Sequence, residues 1–250
     1  MEQFFNVRYE FDIDRIHSLI EERSKNDRGY ICVADGVILS LVQRNTVYRK
    51  VIDEAMFSIC DSGWVPTYIK WIYGLDRKQY CGCEIFEDII RMRRYHMLFL
   101  GTNQQTLCSL RKNLASLDSR IEEMRFEELP YCAVDQFDYA TIGETINRYA
   151  PDIIWVALGA PKQELFMHYL QPHIRRGVMI AVGAVFNFYS GEKIRRAPQW
   201  MIRWKMEFIH RIWCEPRKQW QRCRQIIHVL PSMLYKAFRS RGKMNPTYQS

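Results

Sequence analysis

Apolar and polar residues alternate along most of the chain in blocks that predict strands followed by helices. Residues 10–25 place apolar side chains at helical spacing, and Asp12 or Asp14 is a candidate N-cap. Residues 29–42 (GYICVADGVILSLV) predict a strand, a turn at Asp35-Gly36 and a second helix. A strand enclosed by helices is therefore the first predicted unit.

The same alternation continues to about residue 190. Because the predicted strands are apolar on both faces, they indicate an α/β fold with a parallel sheet covered by helices. Ligands of such sheets bind at the carboxyl ends of the strands, where we expect Asp61, Gly101, Gly159 and Gly183. The further predicted elements are a helix at 47–58, a strand ending at Asp61, a helix at 84–94, a strand ending at Gly101, a helix to about Ala115, a strand near 131–134, a helix at 141–149, a strand, turn and helix within 151–170, and a strand from 178 that ends at Gly183.

From about residue 197 the pattern becomes purely helical. Aromatic residues recur every four positions from Trp200 to Phe208 and give one helix a broad aromatic face. Glu215-Pro216 predicts a break, after which a basic helix resumes. We therefore predict an α/β core at residues 1–194 and a basic, aromatic helical appendage at residues 195–250.

Charge separates these two parts. The appendage has 13 Lys and Arg and 2 acidic residues, a net charge of +11, whereas the first 194 residues have a net charge of −3. A solvated helix face, nucleic acid and an anionic membrane are all compatible with such an appendage. Its interleaved Trp and Phe residues favour the membrane, because aromatic rings lie at the headgroup level while Lys and Arg meet lipid phosphates. The slightly acidic core argues against nucleic acid as a partner.

Composition excludes several classes of protein. With 48% hydrophobic residues the chain is not mainly disordered, and no apolar run reaches the roughly 18 residues that cross a bilayer. The first residues lack the features of a signal peptide, so we expect a cytoplasmic protein, soluble or peripheral on a membrane. The 8 cysteines are scattered without zinc spacing and predict free thiols and no metal site.

Two segments contain candidate chemistry. In GAPKQE (159–164), Gly159 permits close approach of the backbone to a ligand, and the following helix N-terminus favours a diphosphate. Lys162 adds a positive charge and Gln163 can bind a sugar hydroxyl; a plain turn before a helix is the alternative. Asp61 follows an apolar strand and suits a general base, although capping a turn is the commoner use of such a residue. Asp35 has the same two interpretations.

Three longer stretches resemble one protein family. PDIIWVALGAPKQELFMHYL (151–170), VMIAVGAVFNFYSGEKIRRAPQWM (178–201) and EFIHRIWCEPRKQWQR (207–222) are similar to motifs of the WecG/TagA/CpsF glycosyltransferases, glycosyltransferase family 26. The resemblance implies a Rossmann-like core of the type called GT-E. It also implies inverting transfer from a UDP-sugar of the N-acetylmannosamine, uronic acid or glucose type, without cofactor or divalent metal. The implied acceptor is a polyprenyl-diphosphate-linked sugar at the cytoplasmic membrane face, in the synthesis of cell-surface polysaccharide.

The resemblance further implies roles for individual residues. Asp61, within the sequence CDSG, is the expected catalytic base. Arg196, Arg211 and Arg217 are expected to bind the phosphates of the leaving group and acceptor, and Arg222 is a weaker candidate. The expected donor-binding residues are Asp35, Gly101, Gly159, Lys162, Gln163, Glu164, Gly183 and Asn187.

At four positions near the expected sugar site the chain departs from the family pattern. Val33 replaces Thr, Asp35 replaces Asn, Glu84 replaces Asp, and Asn187 replaces Asp. These departures leave the donor sugar open and keep an inactive family member as an alternative. The other alternative is a non-enzymatic module whose basic tail binds a membrane or nucleic acid. Assembly of a homo-oligomer through the core also stays open.

Overall fold

A computed structural model describes residues 1–191 and 216–241, together with Met201, Ile209, Ile212 and Trp213. Over this part of the chain the architecture is α/β, which confirms the predicted fold class. Across the same residues, no helix combines the length and apolar character that a membrane span requires.

A mostly parallel sheet forms the centre of the fold. Its strands are β1 (Glu2–Phe4), β2 (Val7–Tyr9), β3 (Arg28–Ala34), β4 (Phe57–Cys60), β5 (Met97–Gly101), β6 (Arg125–Glu127), β7 (Ile153–Ala157) and β8 (Gly177–Ala181). They lie in the order β1-β2-β4-β3-β8-β7-β5-β6. The pair β1 and β2 is antiparallel, and all other neighbours in this order are parallel.

Helices pack on both faces of this sheet. They are α1 (Ile13–Asn26), α2 (Gly36–Val42), α3 (Thr46–Asp53), α4 (Trp64–Tyr73), α5 (Gly82–Arg91), α6 (Gln104–Leu114), α7 (Tyr139–Tyr149), α8 (Lys162–Leu170), α9 (Val185–Ser190) and α10 (Pro216–Ser240). Side chains of a strand alternate between faces. In β7, Ile153 and Trp155 pack with α1, α5, α6 and α9, whereas Ile154 and Val156 pack with the layer that includes α2, α3, α4 and α8.

Short polar side chains determine where several helices begin. The Asp12 carboxylate accepts a hydrogen bond from the Arg15 amide (3.1 Å), which fixes the start of α1. Asn45 and Asn103 bind the amides three residues ahead in the same way, both at 2.9 Å, and start α3 and α6. The predicted N-terminus of the first helix is therefore confirmed.

Helix α10 lies in the predicted appendage and nevertheless packs on the core. Val229, Met233 and Ala237 recur every four residues and are buried in the hydrophobic cluster that includes α2 and α4. The Ser40 hydroxyl on α2 donates a hydrogen bond to the Gln225 carbonyl (3.0 Å). The basic helix after residue 215 is thus confirmed, and it contributes to the core. The aromatic face from Trp200 to Phe208 lies outside the described residues.

One predicted strand is wrong, and part of another apolar run forms a helix that was not predicted. The strand near 131–134 is absent from its predicted place: the strand that pairs with β5 is β6, and Val134–Gln136 form a turn of 3₁₀-helix. Pro130 has no amide hydrogen to donate to a neighbouring strand. The predicted strand from 178 is confirmed as β8. The apolar run continues beyond it as helix α9, which was not predicted, and the chain turns at Gly183 (φ +54°) between the two elements.

Candidate active site

The carboxyl ends of β3, β4, β7 and β8 surround a cavity of about 200 Å³, which we call the strand-end cavity. Four of the residues predicted from strand ends or adjacent turns line it, namely Asp35, Asp61, Gly159 and Gly183, as do Gln163 and Asn187. The remaining lining residues are Val33, Gly82, Cys83, Ala157, Leu158, Ala160, Ala181, Val182, Ala184, Val185, Phe188, Gln219 and Arg222.

Asp61 is held at the start of α5. Its Oδ1 accepts a hydrogen bond from the Gly82 amide (2.9 Å), and its own amide donates to the Ala34 carbonyl (3.2 Å). The Gln79 side chain donates to its backbone carbonyl (2.6 Å). The carboxylate therefore lies at the amino end of α5, where the helix dipole is positive. A side chain at position 82 would crowd this arrangement, because its Cβ would lie 3.2 Å from Val33 Cγ1.

Asp35 caps a helix in the same cavity. Its Oδ1 accepts hydrogen bonds from the amides of Val37 (2.9 Å) and Ile38 (3.0 Å) at the start of α2. Capping is one of the two roles that the sequence predicted for Asp35. The residue still lines the cavity, so its carboxylate contributes negative charge there while one oxygen is engaged by the helix.

Gln163 joins the two turns that follow β7 and β8. Its Oε1 accepts a hydrogen bond from the Gly159 amide (3.0 Å), and a Cβ at Gly183 would lie only 3.4 Å from the same oxygen. Gly159 (φ +78°) and Gly183 (φ +54°) both adopt left-handed backbone conformations that favour glycine. Gly159 also borders open space, since an added Cβ would meet nothing within 4 Å.

Glu164 lies behind Gln163 and is fully buried. Its two oxygens accept hydrogen bonds from Gln163 Nε2 (2.8 Å) and from the Tyr48 hydroxyl (3.1 Å). Burial raises the pKa of Glu164 to about 7, and the nearby Asp35 carboxylate adds to this effect, while the bond from Gln163 opposes it. Glu164 was predicted to bind donor directly; the structure instead places it where it orients the Gln163 amide.

Two other predicted donor-binding residues lie away from the strand-end cavity. The Lys162 ammonium donates to the Cys132 carbonyl and lies over the Phe137 ring, 4.9 Å from its centroid. Gly101 ends β5 at a position where a Cβ would lie 2.6 Å from the Ala157 carbonyl oxygen. Lys162 therefore contacts the loop before α7. Gly101 allows the ends of β5 and β7 to pack closely.

The predicted phosphate-binding arginines have different outcomes. Arg196 and Arg211 lie outside the described residues, and Arg217 is exposed at the start of α10. Arg222, the weaker candidate, lines the strand-end cavity together with Gln219, which the sequence analysis missed. Gln219, Arg222 and Ile226 follow helical spacing, and this spacing is the signal that could have identified the inward face of α10.

A second cavity adjoins the first. It has a volume of about 420 Å³ and lies between α2, α4 and α10; we call it the helix groove. Asp35, Asp61, Gln219 and Arg222 line both cavities. The other residues of the groove are Gly36, Val37, Leu39, Ser40, Ser62, Gly63, Trp64, Val65, Tyr68, Gln79, Cys223, Ile226, Ile227, Val229, Leu230 and Met233.

The raised pKa of Glu164 predicts a pH-dependent stability. The folded protein holds this proton more tightly than an exposed carboxyl does, so the stabilisation is complete below about pH 4.5 and is lost as the pH rises through about 7. Relative to Glu164→Gln, the wild-type free energy of unfolding should fall by about 2–3 kcal/mol between pH 5 and 8, as measured by urea unfolding. Glu144→Gln, at an exposed position of α7, serves as the control and should follow the wild type. Parallel pH profiles for wild type and Glu164→Gln would contradict this assignment.

Comparison with known proteins identifies the family. Residues 3–246 match the model of the glycosyl transferase WecG/TagA/CpsF family. A protein of Bacillus spizizenii is 24% identical over 213 residues, covering 84% of this chain and 80% of that protein. One of Staphylococcus aureus (strain NCTC 8325) is 21% identical over 235 residues, covering 93% and 88%. One of Bacillus subtilis is 38% identical over 85 residues, covering 34% of this chain and 32% of that protein. All three are named N-acetylglucosaminyldiphosphoundecaprenol N-acetyl-beta-D-mannosaminyltransferase. The extent of the family match establishes that this chain belongs to the WecG/TagA/CpsF family of glycosyltransferases.

Proposed function

We propose that this glycosyltransferase transfers a sugar from a UDP-sugar to a sugar carried on a polyprenyl diphosphate, in the synthesis of a cell-surface polysaccharide. The observation that carries the proposal is the position of Asp61, held by the amino end of α5 in a cavity between strand ends. The names of the relatives support the acceptor class, and they favour N-acetylmannosamine among the possible donor sugars.

The UDP-sugar occupies the strand-end cavity in this proposal. Its diphosphate lies near the Gly159 turn, where the amino end of α8 supplies a positive dipole and the glycine leaves open space. Asn187 and Gln163 present polar groups on the sugar side. Glu164 does not touch the donor and acts by holding the Gln163 amide in one orientation.

The reaction is a single displacement. The acceptor hydroxyl loses its proton to the Asp61 carboxylate as its oxygen forms a bond to the anomeric carbon of the donor. The bond from that carbon to the UDP phosphate oxygen breaks on the opposite face, so the configuration inverts and UDP leaves. The Gly82 amide keeps the Asp61 carboxylate in place during this transfer.

Arginine side chains neutralise the charge that develops on UDP. Arg222 lines both cavities and is the described arginine best situated for this role. Arg217, Arg196 and Arg211 remain further candidates from the sequence. Guanidinium groups bind phosphate oxygens in pairs, which suits a mechanism without a divalent ion. Among the described residues, no group of three or more His, Cys, Asp and Glu side chains has the arrangement of a metal site.

A peripheral position on the inner face of the cell membrane completes the proposal. Aromatic side chains of α4 and α10 are exposed, among them Trp71 (67%), Trp220 (68%) and Phe238 (42%). Helix α10 also carries Arg and Lys residues along its length and contains no acidic residue. This combination of aromatic and basic side chains suits the headgroup layer of an anionic membrane.

Replacement of the proposed base tests the mechanism. Asp61→Asn should lower kcat by roughly 10²–10⁴-fold, the usual contribution of a general base, and should leave the Kd of UDP within a few-fold of wild type. Turnover is measured as UDP release from candidate UDP-sugars with a lipid-diphosphate acceptor, and UDP binding by calorimetry. Asp138→Asn is the matched control, because Asp138 only caps α7 outside both cavities. Near-wild-type turnover of Asp61→Asn would exclude it as the base, and no turnover by wild type with any donor would indicate an inactive family member.

Removal of divalent metal tests how the leaving group is stabilised. Turnover should stay within about twofold of its starting value when EDTA is added, because arginine side chains replace a metal in neutralising UDP. A collapse of activity that Mg²⁺ or Mn²⁺ restores would contradict this account.

Vesicle sedimentation tests the membrane position. The protein should pellet with vesicles that contain anionic phospholipid, less at high salt, because screening weakens attraction of Lys and Arg but not burial of aromatic rings. Trp71→Glu and Phe238→Glu should each weaken binding by about tenfold, equivalent to about 1.4 kcal/mol. Tyr131→Glu provides the matched control, since Tyr131 is a fully exposed aromatic residue in the loop before α7. Equal losses in all three variants, or no binding by the intact chain, would contradict the membrane position.

A further inference from the structure

The helix groove is a site for which the catalytic proposal gives no function. Its walls are set by two contacts between helices. At Gly36, α2 and α10 pack so closely that an added Cβ would lie 2.6 Å from Ile226 Cδ1. At its other end α10 meets α4, where the ring centroids of Trp71 and Phe238 are 6.1 Å apart. The groove lies between these helices, on the side of Asp61.

The walls of the groove are mainly hydrocarbon. Leu39 on α2, Val65 and Tyr68 on α4, and Leu230 and Met233 on α10 all line it. Its volume of about 420 Å³ is within the range, roughly 300–1,000 Å³, of cavities that hold small ligands. Such a cavity favours an apolar chain, because burial removes hydrocarbon from water.

Charged groups are placed at one end of the groove. Asp61 and Arg222 line both cavities, so they stand where the strand-end cavity and the groove meet. A guanidinium at that position complements a diphosphate. The Asp35 carboxylate also lines both cavities, so this junction holds two carboxylates and one guanidinium, and the apolar walls of the groove lie beyond it.

We propose that the helix groove binds the isoprene units nearest to the diphosphate of the lipid-linked acceptor. This inference rests on the proposed function, because it takes the acceptor to be a sugar joined through a diphosphate to a polyprenyl chain. Each part of that molecule has a matching environment: a sugar hydroxyl at Asp61, phosphates at the junction where Arg222 lies, and hydrocarbon between α4 and α10. The groove then selects acceptors by the part of the lipid that is closest to the reacting sugar.

Two soluble acceptors test the proposal without a membrane. N-acetylglucosamine diphosphate esterified to methyl and to farnesyl differ only in the isoprene chain. Wild type should show a kcat/KM at least tenfold higher for the farnesyl ester, since the chain leaves water on binding. Leu230→Glu, which places a charge in the groove, should reduce this preference about tenfold. Tyr235→Glu makes a comparable change of charge on the same helix at a side chain that is 67% exposed and outside the groove, and it should keep the preference.

A second variant distinguishes blockage of the groove from loss of folding. Cys223→Trp fills the groove from α10 without adding a charge, at a half-buried position, and should also reduce the preference. Equal kcat/KM values for the two esters in wild type would overturn the proposal. So would a full preference in both groove variants when their thermal unfolding matches that of wild type.

Binding measurements separate this inference from the proposed function. Farnesyl diphosphate should bind at least tenfold more tightly than inorganic diphosphate by calorimetry, and Leu230→Glu should remove the difference. If wild type turns over neither ester but shows this binding pattern, the proposed function fails and the groove assignment stands. If both esters react equally well, the function stands and the groove assignment fails. Tighter binding of a short-chain phosphatidylglycerol than of farnesyl diphosphate would assign the groove to membrane phospholipid instead and overturn the proposal.

Discussion

Burial of a parallel sheet between two layers of helices determines where this protein can do chemistry. Both faces of the central strands are apolar, as Ile154 and Trp155 show by packing into opposite layers. Polar groups that must meet a substrate are therefore concentrated where strands end and the backbone turns. Asp35, Asp61 and Gly159 follow different strands, and the sheet brings them to one cavity although they are far apart in sequence.

The strand-end residues were predictable because they depend on chain order and on the parallel direction of the strands. The positions of Asp61 and Gly183 could be predicted from an apolar run and the residue that ends it. Glu164 and Lys162 were not predictable, because the direction of each side chain depends on distant partners: Tyr48 for Glu164, and the loop at Cys132 for Lys162. Neighbours in a motif can thus point into a site, behind it or away from it.

Helix assignments failed where local composition was ambiguous. A short apolar run is compatible with a strand or a buried helix, and the residues after Gly183 form the helix. The composition of α10 shows that it is basic, but its many Arg and Lys residues make the face that packs inward harder to recognise. Gln219 and Arg222 lie on that face, at helical spacing from the core residues Val229 and Met233, and this spacing is the signal that could have identified them.

The double role of α10 has a thermodynamic consequence. The helix contributes buried residues to the core and also lines both cavities, so any ligand that contacts it together with the strand ends binds only to the state in which the helix is docked. By linkage, the free energy of binding then stabilises the docked helix to the same extent that docking improves binding. Formation of the two cavities and retention of the ligands that occupy them are in this sense a single equilibrium, shared between the fold and its ligands.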